Sequence, residues 1–294
     1  MTATPATVAS GFGFLEAPRW HSGRIWFSDF YTHRVLSARE DGSDLRTEAR
    51  VPTQPAGLGW LPDGRLLIVS MLDRAILRRE PDGTLVTHAD LTPYATGIAN
   101  DMVVDAEGRA YVGNFGFDLR SGADLETASL CRADPDGTVT EVARDLWFPN
   151  GSAITPGNVL IVNETFGNRV TAFDLTPQGD LVNRRVWAEF APLPPGRTLD
   201  KVFPAIKVAP DGGCLDAEGA FWLADALGSR LLRVREGGEI ADELRLDTPV
   251  FACALGGPDG RTLYACAAPD FDDRARSAAQ EAALLALRVQ VPAA

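Results

Sequence analysis

One pattern recurs six times along the chain and restricts its fold more than any other feature. A short apolar strand is followed by a turn ending in Gly, then by a second strand rich in aromatic or β-branched residues. The copies begin "EAPRWHSGRIWFSD" (16–29), "AGLGWLPDGRLLIVS" (56–70), "NDMVVDAEGRAYVGN" (100–114), "NGSAITPGNVLIVNE" (150–164), "DGGCLDAEGAFWLAD" (211–225) and "ACALGGPDGRTLYACA" (252–267). Their starts lie 40, 44, 50, 61 and 41 residues apart. Most copies carry a second turn further on, as in "REDG", "EPDG", "DPDG" and "TPQG". Gly in these turns supplies the positive φ that tight hairpins require. Four short antiparallel strands in about 40–45 residues is the period of a propeller blade. Six such units predict an all-β, six-bladed β-propeller occupying residues 1–294 as a single domain. Too little chain follows "ALLALRVQV" to finish the last blade. The N-terminal "TPATVASGFGF" is therefore expected to supply its outer strand and close the ring.

The longer spacings mark irregular segments. Residues 190–210, "FAPLPPGRTLDKVFPAIKVAP", are too long for a plain connection. Long loops on a rigid scaffold are disordered or functional, and this one, with Phe203 and Ile206, is the candidate lid. A second excess is "FGFDLRSGADLETAS" (115–129), and the polar, Ala-rich "PDFDDRARSAAQEA" (269–282) reads as a short surface helix.

Composition narrows the function classes. Among 294 residues 45% are hydrophobic, which is ample for a packed core. The net charge is −12 and no basic block is present, which argues against a nucleic-acid partner, because phosphate neutralisation needs clustered Lys and Arg. The N-terminus has no basic start with a following apolar run, and no stretch reaches the ~20 apolar residues that span a bilayer. No membrane partner and a cytoplasmic location are expected. The four cysteines, Cys131, Cys214, Cys253 and Cys266, show no CxxC spacing. Cys253 and Cys266 are placed to face each other across a hairpin turning at Asp259–Gly260, as reduced thiols.

Aligning the six units is the informative step. The first residue of each falls at the start of the innermost strand, expected to point toward the central channel. Around the ring these are Glu16, Ala56, Asn100, Asn150, Asp211 and Ala252. The residue closing the second strand returns to the same end: Asp29, Ser70, Asn114, Glu164, Asp225 and Ala267. Two carboxylates and two amides converging in a narrow channel call for a positive charge among them. An all-oxygen set without Cys or His suits a hard cation, Ca2+ first, with Mg2+, Mn2+, Zn2+ or Fe2+ as alternatives. Asn and Asp before Gly are also favoured in ordinary turns. Glu16 is not explained that way, since "LEAPRW" holds no turn signal.

"LEAPRW", "ND" at 100–101, "PNG" at 149–151, "PDGGCLDAEGAFWLA" at 210–224 and "TAFDLTPQGDLVNRRVWAEF" at 171–190 resemble the senescence-marker-protein / gluconolactonase / luciferin-regenerating-enzyme family. The resemblance runs over nearly the whole chain and implies a six-bladed propeller with one catalytic divalent cation that hydrolyses lactones. It matches Glu16, Asn150 and Asp211 to the metal ligands, and Asn100 to the residue that completes the site or touches substrate. Sugar-lactone enzymes of the family carry an Arg two residues before the Asn of "ND", where this chain has Ile98. They often show a Thr-Met pair and a Glu after the second strand, where this chain has Asn114, Phe115 and Phe117, with Asp118 as a substitute. Trp147, Phe148, Phe166 and Phe203 are further candidates for the channel mouth. These departures point to a small-molecule substrate less polar than a sugar lactone.

The expected reaction is metal-assisted opening of a cyclic ester, with a carboxylate taking a proton from the attacking water. Asp211 is the first choice for that base, with Glu164 and Asp225 as alternatives. Covalent catalysis is disfavoured: no Gly-x-Ser-x-Gly elbow occurs, and His21, His33 and His88 lie away from the strand starts. The rival readings are a metal-dependent phosphotriesterase-like hydrolase and a non-catalytic propeller that binds a ligand or protein. The sequence leaves the oligomeric state open.

Overall fold

A computed structural model describes residues 4–294. Its strands form six sheets of four, and five of these follow the chain in order. The first holds β2 (Leu15–His21), β3 (Arg24–Asp29), β4 (Arg34–Ala38) and β5 (Arg46–Arg50), and the second β6 (Pro55–Trp60), β7 (Leu66–Ser70), β8 (Ala75–Arg79) and β9 (Leu85–Asp90). The third comprises β10 (Ala99–Val104), β11 (Ala110–Asn114), β12 (Ala128–Ala133) and β13 (Val139–Leu146). The fourth is β14 (Pro149–Ile154), β15 (Val159–Glu164), β16 (Arg169–Leu175) and β17 (Leu181–Glu189). The fifth is β18 (Pro210–Leu215), β19 (Phe221–Asp225), β20 (Arg230–Val234) and β21 (Ile240–Arg245). The sixth takes β22 (Val250–Gly256), β23 (Thr262–Ala267) and β24 (Ala282–Arg288) and completes itself with β1 (Ala6–Phe12). These are the blades of a six-bladed β-propeller. As the repeat predicts, the N-terminal strand pairs with β24, with Ala6 opposite Ala286 and Phe12 opposite Ala282.

The blades group into two compact units, one built from Asp211–Ala294 with the N-terminal residues up to Pro55, the other from Ala56–Pro210. In the first unit Trp222, Leu231, Leu255, Leu263 and Leu287 pack into one apolar layer. In the second, Tyr111, Leu130, Leu160, Val162 and Phe173 do the same. Each fully buried side chain of this kind contributes roughly 1.5–3 kcal/mol.

The irregular segments fall where the spacing placed them. Residues 190–210 contain α1 (Leu199–Val202) and a 3-10 turn (Phe203–Ala205). The segment 269–282 holds α2 (Asp273–Ala278), capped by the Asp272 carboxylate, which accepts the Ala275 N–H at 2.7 Å. The hairpin of β22 and β23 corrects one expectation. Cys253 pairs with Ala265 and Ala252 with Cys266, so alternation sends the two thiols to opposite faces of the sheet. All four cysteines are free. No helix among the described residues is long and apolar enough to cross a membrane.

Candidate active site

The first strand of each blade carries the aligned residues at its N-terminal end: Glu16, Ala56, Asn100, Asn150 and Asp211 are second residues of their strands, and Ala252 is a third. The ladder slips beside Ala252, between Val250 and Ala252, and around three of the oxygen-bearing residues. The register breaks between Glu16 and Arg19, between Ala99 and Met102, and between Pro149 and Ser152. Such bulges re-aim side chains that regular pairing would otherwise fix. The side chains at these positions are nearly shielded, with 8% exposure for Glu16, 7% for Asn100, 4% for Asn150 and 7% for Asp211.

In the first unit, Glu16 turns one oxygen back to accept the Ala17 N–H at 3.0 Å, with Ala17 held at φ 50°. Asp211 is followed by Gly212, where a Cβ would lie 2.4 Å from that of Ala252. Glycine here lets β18 close onto β22 and seats the strand that carries Asp211. In the second unit, Asn150 donates from Nδ2 to Thr165 Oγ1 at 3.2 Å. Asn100 precedes Asp101, whose carboxylate accepts the Met102 N–H at 2.8 Å inside the bulge.

The residues that close the second strands are tied into their own blades. Asp29 accepts the Gly13 and Phe14 N–H groups at 3.2 and 3.1 Å. Asn114 accepts from Gly97 N at 3.2 Å and Gly116 N at 3.0 Å, and donates to Ser129 O at 2.9 Å. Glu164 accepts from Trp147 N at 2.8 Å, from Arg169 Nε and Nη2 at 2.8 and 3.0 Å, and from the Thr171 hydroxyl. Gly13, Gly97 and Trp147 each stand two residues before a first strand, so these oxygens pin the chain as it enters its blade. Asp225 is held by Arg230 Nε at 2.7 Å. The signal for this tie is in the sequence: an acid followed five residues later by Arg, as in Asp29–Arg34, Glu164–Arg169 and Asp225–Arg230.

The candidate aromatic residues gather in one cluster of the second unit. Phe117, Leu125, Phe148, Phe166 and Val202 form its buried centre, with Phe115, Trp147, Phe203 and Ile206 packed around them. Phe115 and Phe148 meet edge to face at 4.2 Å, and Phe166 touches Phe148 at 5.4 Å and Phe203 at 5.8 Å. The cluster is thus the small core beneath segment 190–210. Asn168, which the sequence reading passed over, anchors that segment. Its Nδ2 donates to Pro192 O and Ala205 O at 3.1 Å each, and its Oδ1 accepts Lys207 N at 2.7 Å.

Ile98 and Asp118 line a cavity of about 410 Å3 in the second unit, together with Leu72, Arg74, Phe117 and Arg120. Asp118 spends one oxygen on the turn, accepting the Arg120 and Ser121 N–H groups at 3.1 and 3.2 Å. These bonds, that of Ser121 first, hold its carboxyl below the usual carboxylate range. Among the described residues no group of three or more His, Cys, Asp or Glu is gathered to hold a metal ion. The candidate set is of another composition, two carboxylates and two amides.

A family model described as "SMP-30/Gluconolactonase/LRE-like region" matches residues 14–268. The chain belongs to this family. It is 32% identical to 6-deoxy-6-sulfogluconolactonase of Pseudomonas putida over 56% of its own length, an alignment that spans about half of that relative (52%). It is 29% identical to pentonolactonase XacC of Haloferax volcanii, covering 85% of this chain and 79% of the relative. The solved structure of a calcium-binding protein, regucalcin, from Agrobacterium tumefaciens superposes with a TM-score of 0.80 at 21% identity, covering 100% of this chain and 96% of that one.

Proposed function

We propose that the protein opens a lactone by attack of water, with a divalent cation held by Glu16, Asn150 and Asp211 and completed by Asn100. One observation carries this reading. In a chain of a family with named lactonases, four buried oxygen-bearing side chains occupy the same strand position in four different blades. The donor set fits the ion: two carboxylates balance a dication, two amide oxygens add neutral ligands, and all-oxygen coordination favours Ca2+. When bound, such an ion polarises the ester carbonyl and offsets the charge that develops on its oxygen.

The remaining work falls to the chain. Asp211 takes the proton as the water oxygen bonds to the carbonyl carbon. The ring C–O bond then breaks, and the same proton passes to the departing alkoxide, leaving a hydroxy acid. Asp211 is the proposed base; the other candidates, Glu164 and Asp225, are paired with Arg169 and Arg230 within their own blades. This reading takes the cavity lined by Ile98, Leu72 and Phe117, with Arg74, Asp118 and Arg120 beside them, as the substrate pocket, and takes Ile98 as the residue that suits it to a ring less polar than a sugar lactone. Asn114, whose Oδ1 holds Gly97 of that lining, and the cluster of Phe115, Phe166 and Phe203, which includes Phe117, are proposed to shape it.

The test is turnover of an aliphatic γ-lactone, a sugar lactone and an organophosphate, each after EDTA treatment and after readdition of Ca2+ or Mn2+. The proposal expects proton release from the aliphatic lactone, lost with EDTA and restored by the ion. Ile98→Arg should move preference toward the sugar lactone. Organophosphate turnover alone would assign a phosphotriesterase, and binding without turnover of any of the three would assign a non-catalytic propeller.

A further inference from the structure

The hydroxyl of Thr165 sits between Asn150 and the backbone of Pro210. Thr165 Oγ1 lies 2.9 Å from Pro210 O and 3.2 Å from Asn150 Nδ2, and all three groups are buried. A carbonyl can only accept, so the single hydroxyl proton goes to Pro210. The same oxygen can then only accept from Asn150. Of the two ends of the Asn150 amide, the NH2 group must therefore face Thr165, which turns Oδ1 away from it. The backbone around Asn150 adds to this placement: Ser152 Oγ donates to Asn150 O at 3.0 Å, and Thr165 N donates to Phe148 O at 3.1 Å.

We infer that Thr165 is a positioning residue that fixes the Asn150 amide with its oxygen, not its nitrogen, presented to the cation. This rests on the reading of Asn150 as a ligand. A flipped amide would aim two N–H donors at a positive ion, so the wrong orientation does more than lose a ligand. Pro210 immediately precedes Asp211 in the chain, and one hydroxyl thereby holds the Asn150 side chain against the peptide that leads into a second proposed ligand. No sequence signal marks this residue, because Thr after a strand-closing Glu is unremarkable until the amide above it is seen.

The test compares Thr165→Val, which keeps shape and removes the hydroxyl, with Thr165→Ser, which keeps the hydroxyl. Ca2+ affinity by titration calorimetry and Mn2+ affinity by electron paramagnetic resonance are measured on the whole protein, with thermal midpoints alongside. Removing a group that orients a metal ligand typically weakens metal binding about 10–100-fold. That loss is expected for Val, with recovery to within about threefold for Ser. In an Asn150→Ala background, Thr165→Val should add no further loss, since its effect passes through the amide. Thr165→Ala serves the same comparison if Val is not accommodated. Unchanged affinity in Thr165→Val, with affinity lost in Asn150→Ala, overturns the inference and leaves the ligand reading intact. Wild-type affinity in Asn150→Ala overturns the ligand reading itself. Equal weakening by Val and Ser reduces Thr165 to a packing residue and also overturns the inference.

Discussion

Replacing Glu164 with Gln separates a blade-holding carboxylate from a catalytic one. The side chain is wholly buried and accepts from Trp147 N, both Arg169 contacts and the Thr171 hydroxyl. Gln keeps the shape but turns an NH2 group toward at least one donor and leaves Arg169 without its counter-charge. Breaking a buried pair by altering one partner costs about 3–5 kcal/mol. Arg169 is 19% exposed, so water offsets part of the loss and the lower end of about 3 kcal/mol applies. For 294 residues the unfolding entropy is about 0.6 kcal/mol per kelvin, which converts this into a fall of roughly 5 °C in the thermal midpoint. Calorimetry should show that fall, while lactone turnover per folded molecule at 25 °C stays within about twofold of wild type. An unchanged midpoint with turnover down about 100-fold or more would refute the reasoning and make Glu164 the base.

Two further outcomes follow from the same geometry. Asn168→Ala removes the bonds to Pro192, Ala205 and Lys207 and places Ala at φ 52°, so a loss of about 2–4 kcal/mol and faster proteolysis within 190–208 are expected. Asn168→Gly, which accepts that φ, should cost about 1 kcal/mol less; equal midpoints for the two would remove the backbone part of this account. His88 is held below its ordinary value of 6.5, first by burial and then by the nearby Arg78 guanidinium. The unfolded chain therefore binds the proton first, so the His88 contribution is complete above about pH 6.5 and is lost as pH falls through 6.5 toward the folded value. The midpoint should drop less between about pH 7.5 and 5.5 in His88→Gln than in wild type, and an identical drop would contradict this.

The blade count, the closing strand and both aligned rows of residues were legible because turn chemistry and strand alternation are local and repeat six times. The role of the second row was not. Asp29, Asn114 and Glu164 look like a second acidic ring until their oxygens are seen to hold Gly13, Gly97 and Trp147, contacts 16 or 17 residues away. The packing of the aromatic residues was hidden in the same way. Phe115, Phe166 and Phe203 come from loops far apart in sequence and reveal only in three dimensions that they pack on one another. Asn168 and Thr165 act through bonds to backbone groups, which leave no compositional trace.

The central claim is that Glu16, Asn100, Asn150 and Asp211 hold one divalent ion. Anomalous diffraction from a crystal soaked in Mn2+ tests it most directly. One strong peak with oxygens of these side chains as ligands, absent in Asp211→Ala, is the predicted result. No peak there, or a peak that survives Asp211→Ala unchanged, would contradict it.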